Sequence, residues 1–155
     1  MKRLPKSRYF VAMFAVVFLL DQVTKLLAAR FLAEPQTLIP GFLRLVVAYN
    51  DGAAWNLLSG RRFFLIALSI MALLLGFFFR KRLGFEYLAN QIAIGLVCGG
   101  LMGNLLDRLR TGFVIDFIDI HLALYHWPTF NVADSALCIG TVLIAFWDHG
   151  KSPKK

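Results

Sequence analysis

Acidic side chains are scarce in this chain: nine Asp and Glu stand against seventeen Lys and Arg, a formal charge of +8 at pH 7. Cysteine is rarer still, with two residues, and histidine has three. Two cysteines build no disulfide framework. Cys98 and Cys138 both fall inside apolar runs, where a thiol packs as a small hydrophobe, so they read as reduced and structural. Internal repeats and low-complexity segments are lacking, and the first half does not map onto the second as an inverted-repeat transporter requires. The basic residues form no stripe. They sit in short flanks between apolar runs, which argues against nucleic acid and for anionic lipid headgroups as their partner.

What is abundant is hydrocarbon: 59% of the 155 residues are hydrophobic, 14% are aromatic, and the mean hydropathy is +0.67. Those values place the chain in the membrane class as a single membrane domain over residues 1–155. Four apolar segments can be drawn, over residues 9–29, 63–79, 87–106 and 130–147, with longer connections at 30–62 and 107–129. Each segment has roughly 17 to 21 residues, enough at 1.5 Å per residue to cross a hydrocarbon core of about 30 Å. The second and third contain no charge before Asp107. The first begins like a signal peptide, but no small-x-small cleavage site closes the apolar stretch before Asp21, so it reads as a retained helix.

Orientation follows from the cations. Lys2, Arg3, Lys6 and Arg8 precede the first segment, Arg80, Lys81 and Arg82 join the second to the third, and Lys151, Lys154 and Lys155 follow the fourth. On four spans these groups share one side, so the positive-inside rule puts both termini in the cytoplasm. The polar exceptions then converge on the opposite leaflet: Asp21 and Lys25, Asn50 and Gly52, Asn104, Asp107 and Arg108, Asp116 and Asp119, Asn131 and Asp134. A charged residue at a helix centre in the bilayer costs about 2.5 to 3.5 kcal/mol on insertion scales, so such residues mark function by default. Two carboxyls near one surface point to proton chemistry. Residues Leu38–Tyr49 are rich in β-formers after a Pro-Gly turn signal, so a short sheet on the membrane surface is expected.

Each element also has a structural reading. Asp21 and Lys25 are four apart on a helix and can neutralise each other. Gly99 and Gly103 have the spacing that lets helices pack closely. Asn50-Asp51-Gly52 is a turn signal, and Asp116 or Asp134 can serve as a helix cap or pair with Arg108. His121 and His126 with Asp116 or Asp119 are residue types that bind metal, but the five-residue spacing of the histidines fits no standard ligand pattern, so no metal and no cofactor is expected. As a function of another class, a small proton-linked transporter or channel subunit would use the same acids as a relay.

Read in order, the chain carries DQVTK at 21–25, YNDGAAW at 49–55, GGLMGNLLDR at 99–108, VIDFID at 114–119 and FNVAD at 130–134. This series resembles the lipoprotein signal peptidase family, the bacterial type II signal peptidases, over essentially the whole chain. The resemblance implies an all-α membrane protein of four transmembrane helices with a small periplasmic β-sheet cradle. It implies an aspartic peptidase of the inner membrane that cleaves prolipoproteins just before a diacylglyceryl-modified cysteine; separately, a monomer working without a cofactor is expected. The catalytic pair falls on Asp116 and Asp134, with Asp21, Asn50, Gly52, Asn104, Arg108 and Asn131 as substrate-binding or supporting residues. Two positions depart from the family pattern, Trp55 where Phe is usual and Asn56 where a small or hydroxyl residue is common, and both bear on the shape of the substrate groove.

Overall fold

A computed structural model of the chain describes residues 7–53, 55, 57–122 and 125–148; Asn56 and the cationic residues Lys2, Arg3, Lys6, Lys151, Lys154 and Lys155 lie outside them. Four helices and one small sheet follow in the order α1 (Arg8–Phe31), β1 (Gln36–Ile39), β2 (Leu43–Asn50), α2 (Arg62–Phe78), α3 (Leu88–Arg110), β3 (Val114–Leu122), β4 (Tyr125–His126) and α4 (Val132–Asp148). Helices α1 and α3 are both long and apolar enough to cross a membrane, and α2 and α4 are shorter apolar helices. At 17 residues α2 is about 26 Å long.

The bundle is inside-out relative to a water-soluble one. Helix α2 buries only Leu65 and Ser69, and it exposes Phe63, Phe64, Met71, Leu74, Phe77 and Phe78. On α1, Val16, Leu19, Leu20, Val23 and Leu26 are each at least half exposed. A contiguous apolar surface of this kind needs a lipid solvent. Many buried positions are instead polar or small, and the central helix α3 carries a large share of these, among them Gln91, Gly95, Gly99, Gly100, Gly103, Asn104, Asp107 and Arg108. Without water to drive helices together, close backbone approach and interhelical hydrogen bonds hold them. A Cβ at Gly99 would stand 2.8 Å from Val17 Cβ and 3.0 Å from Phe14 O on α1, so close packing holds there as its spacing predicts. Gly103 does something else: a Cβ there would overlap Asp21 Oδ2, so its bare backbone makes room for a carboxylate.

The antiparallel sheet is ordered β1-β2-β3-β4. It is larger than the short sheet expected over Leu38–Tyr49, because the 107–129 connection holds two strands, β3 and β4. Helix boundaries shift for physical reasons too. The third helix continues a turn past 106 to Arg110, keeping Asp107 and Arg108 helical. The fourth begins at Val132, two residues later than the apolar run, because Phe130 is taken by a β-bridge to Ile118. Strand β2 pairs with β3 through Ala48↔Asp116, Tyr49↔Ile115 and Asn50↔Val114, with an irregularity between Leu45 and Ala48. Strand alternation then puts Asp116 on one face of β3, and Asp119 and His121 on the other.

Candidate active site

The first turn of α4 organises the polar cluster. Asn131, wholly buried just before the helix, accepts a hydrogen bond at Oδ1 from Asp134 N at 2.9 Å, while Asp134 Oδ2 accepts from Asn131 N at 3.3 Å. This reciprocal pair satisfies two helix-end N–H groups in the manner of a capping box. Asp134 is thus part of a cap, as its structural reading allows, but Asn131 is the capping residue. The other carboxylate oxygen of Asp134 accepts from Asn104 Nδ2 at 2.8 Å.

Asn131 also links the two acids. Its Nδ2 donates to Asp116 Oδ1 at 2.6 Å, so one amide touches Asp116 with its nitrogen and the backbone N–H of Asp134 with its oxygen. Asp116 Oδ2 accepts from Asn50 Nδ2 at 2.9 Å. The register makes that contact: Asn50 pairs with Val114, which sets its side chain diagonally across from Asp116. Asn50 is held in turn by Gly52, whose N–H donates to Asn50 Oδ1 at 2.9 Å in an Asx turn. Arg108 donates from Nη2 to the Gly52 carbonyl at 2.7 Å. Its role is therefore to hold the YNDG turn, and among the described residues it forms no ion pair with either acid.

Asp116 is 1% exposed and, among the described residues, has no cationic hydrogen-bond partner. Burial pushes its carboxyl up, and the nearby Asp134 charge adds to the push; the Asn50 and Asn131 amides and the more distant Lys25 charge pull it back only in part. The result is a pKa of about 6.

Beneath the pair lies a buried charge network. Lys25 Nζ sits 2.8 Å from Asp21 Oδ2 and 2.8 Å from Asp107 Oδ2, and it donates to Asn104 Oδ1 at 2.9 Å. The Asp21–Lys25 pair read from the sequence is there, but it reaches further than α1. Asp21 Oδ1 accepts from Ala133 N at 2.9 Å, so the first helix caps the fourth. Gln22 bridges the same group, donating to Asp21 Oδ2, Gly103 O and Asp107 Oδ1. Sequence reasoning missed Gln22, although it stands inside the DQVTK run. A lysine drawn from α1 thus fixes Asn104, and Asn104 fixes Asp134.

All eight residues singled out from the sequence, Asp21, Asn50, Gly52, Asn104, Arg108, Asp116, Asn131 and Asp134, belong to this one connected network. Asp119 does not. It lies on the opposite face of β3, where Arg44 Nη2 at 2.7 Å and His121 Nε2 at 3.0 Å reach its Oδ2 and His126 Nε2 reaches its Oδ1. Burial alone would raise this carboxyl, but the hydrogen bonds from His126, Arg44 and His121 outweigh it and hold the pKa at about 2.

Trp55, in the left-handed region at φ 55°, is exposed and packs edge-on against Trp127 with ring centroids 5.6 Å apart. The two long connections, 30–62 and 107–129, therefore meet through a tryptophan pair.

An apolar helix bundle, closed at one end by a sheet with carboxyls gathered at the junction, is the architecture of a membrane enzyme. Two solved structures described as bacterial membrane enzymes share it. One superposes with a TM-score of 0.83 at 36% identity, covering 94% of this chain and 93% of that one. The other gives 0.80 at 35% identity. Residues 13–148 match the family Signal peptidase (SPase) II. The lipoprotein signal peptidase of Syntrophotalea carbinolica is 40% identical over 96% of both chains, and that of Staphylococcus carnosus is 41% identical over 90% of this chain and 91% of its own. The chain belongs to the signal peptidase II family and is a membrane peptidase.

Proposed function

We propose that this peptidase removes signal peptides from prolipoproteins by cutting just before a diacylglyceryl-modified cysteine, with Asp116 and Asp134 as the catalytic pair. The observation that carries the assignment is the Asn131 side chain, which joins the two acids, together with the burial of Asp116 among neutral amides. Hydrolysis without a nucleophilic side chain needs one group to take a proton from water and another to give one to the carbonyl oxygen or the leaving amine. A carboxyl pair sharing one proton does both. A pKa of about 6 for Asp116 keeps that proton available near neutral pH.

The supporting residues have distinct tasks. Asn131 aligns the two carboxyls. Asn50 and Asn104 each hold one of them from the far side, Arg108 and Gly52 fix the turn that carries Asn50, and Asp21 with Lys25 anchors Asn104 and the start of α4. In this reading all four helices span the inner membrane as one domain, both termini are cytoplasmic, and the sheet faces the periplasm. The exposed apolar flanks of the bundle meet the lipid and the substrate's acyl chains. An acylated cysteine holds the scissile bond at the depth of the pair, so lipid modification acts through positioning. The protein works as a monomer.

Purified protein incubated with a diacylglyceryl-modified prolipoprotein should release the signal peptide. Asp116→Asn and Asp134→Asn should each fall below about a hundredth of the wild-type rate, with normal membrane yield. A variant that kept more than that would remove its residue from the pair. Trp55→Ala should weaken use of the substrate and leave the pH profile in place.

A further inference from the structure

The outer face of the sheet carries a second cluster that peptide hydrolysis does not use. His121 and His126 are direct cross-strand partners in the β3–β4 hairpin, and their rings stack with centroids 4.5 Å apart. Both Nε2 atoms aim at the Asp119 carboxylate, and one ligand atom from each of the three residues lies within 4.8 Å of the others. The chain spacing of the histidines argued against a metal, but ligand patterns counted along a helix or loop do not apply to partners across a hairpin.

We propose that Asp119, His121 and His126 form a binding site for a zinc-type divalent cation, with water in the fourth position. The donor set, two imidazoles and one carboxylate, suits that ion. Tetrahedral zinc with bonds of about 2.0 to 2.2 Å sets its ligand atoms about 3.4 Å apart, so the cluster must open slightly, each imidazole Nε2 drawing back from the carboxylate oxygen it now touches, a small shift. His126 is 55% exposed at its side chain and free to make it. Asp119 is nearly wholly buried, and its Oδ2 is fixed by Arg44 Nε at 3.0 Å and Nη2 at 2.7 Å. Arg44 is the outer contact that orients the carboxylate for a metal on Oδ1. Its positive charge also weakens the site, which makes the ion exchangeable.

The metal would act as a clamp. It replaces two hydrogen bonds to Asp119 with coordinate bonds across β3 and β4, and so fixes the hairpin whose next residue, Trp127, packs on Trp55 and Tyr125. The site lies on the opposite face of β3 from Asp116 and takes no part in the acid-base step, so it stands whether or not the catalytic assignment does.

The test is titration of the full chain, purified in detergent and stripped with chelator, with zinc chloride by calorimetry, alongside its thermal unfolding. One zinc ion per chain at micromolar concentration is expected, with Tm rising as zinc is added. His126→Ala and His121→Ala, both at accessible positions, should each weaken binding by at least about tenfold and abolish the rise in Tm. Absence of saturable binding, or variants that bind zinc as the wild type does, would overturn the site. Prolipoprotein cleavage should persist in chelator; loss of cleavage restored by zinc would contradict the clamp and move the metal into the reaction.

Discussion

Asp116 and Asp119 are the same residue type, three positions apart on one strand, each 1% exposed, yet the molecule treats them as opposites. On the inner face of β3, Asp116 meets the side-chain amides of Asn50 and Asn131, and its pKa rises to about 6. On the outer face, Asp119 meets Arg44 and two histidines, and its pKa falls to about 2. Burial pushes both upward, so the partners decide the sign. A buried carboxylate given a guanidinium and two imidazoles as partners is held in its ionised form and serves structure. One given only neutral donors can hold and release a proton near neutrality, which is what peptide hydrolysis asks of it.

The largest effect should come from exchanging each acid for its amide. Asp116→Asn should stop prolipoprotein cleavage, to below about a hundredth of wild type, while Asp119→Asn keeps the rate within a few-fold. Equal losses in the two variants would break the contrast between the faces. Next comes the amide that joins the pair. Asn131→Ala removes a hydrogen bond to a carboxylate, a loss of about 1.5 to 3 kcal/mol, which corresponds to a fall in kcat of roughly 10- to 150-fold if the bond strengthens during the reaction. Retention of the full kcat would reduce Asn131 to a helix cap.

On the outer face the effect should appear in stability. Asp119 has a folded pKa of about 2, below its ordinary 3.8. Its ionised form therefore stabilises the fold above pH 4, and that contribution is lost as pH falls through 2. Asp119→Asn, measured with chelator present, should cost about 2 kcal/mol near neutral pH and much less in strong acid. A variant as stable as wild type at pH 7 would mean that the three donors do no more than offset burial. Smallest is a shift on the inner face. The Asn50 amide lowers the pKa of Asp116, so Asn50→Leu should move the limb of the pH–rate profile near pH 6 to higher pH. A shift toward lower pH would contradict the role of that hydrogen bond.

Much of this was legible in the sequence because the constraints are chemical and short-range. Uninterrupted apolar runs announced the helices to within a few residues, and polar residues too costly to leave in lipid marked the site. On physical grounds alone Asp116 and Asp134 keep structural readings as a cap or an ion pair; their choice as the pair, with Asn50, Asn104 and Asn131 in support, comes from the family resemblance. The rest depends on pairing between distant segments. VIDFIDIHL alternates in a way that fits a strand, but its pairing with 43–50 is set by the tertiary fold, and so the larger sheet and the split between Asp116 and Asp119 were hidden. The same holds for His121 and His126, which a hairpin joins, and for Asp21, whose bond to Ala133 N spans 112 positions.

The most direct test is an NMR titration of the aspartate carboxyls in protein labelled with carbon-13 at Asp Cγ and held in detergent micelles. Resonances are assigned from the Asp116→Asn and Asp119→Asn variants. The account predicts that the Asp116 carboxyl titrates near pH 6 and that the Asp119 carboxyl stays ionised down to about pH 2. Both titrating together near pH 4 would contradict it.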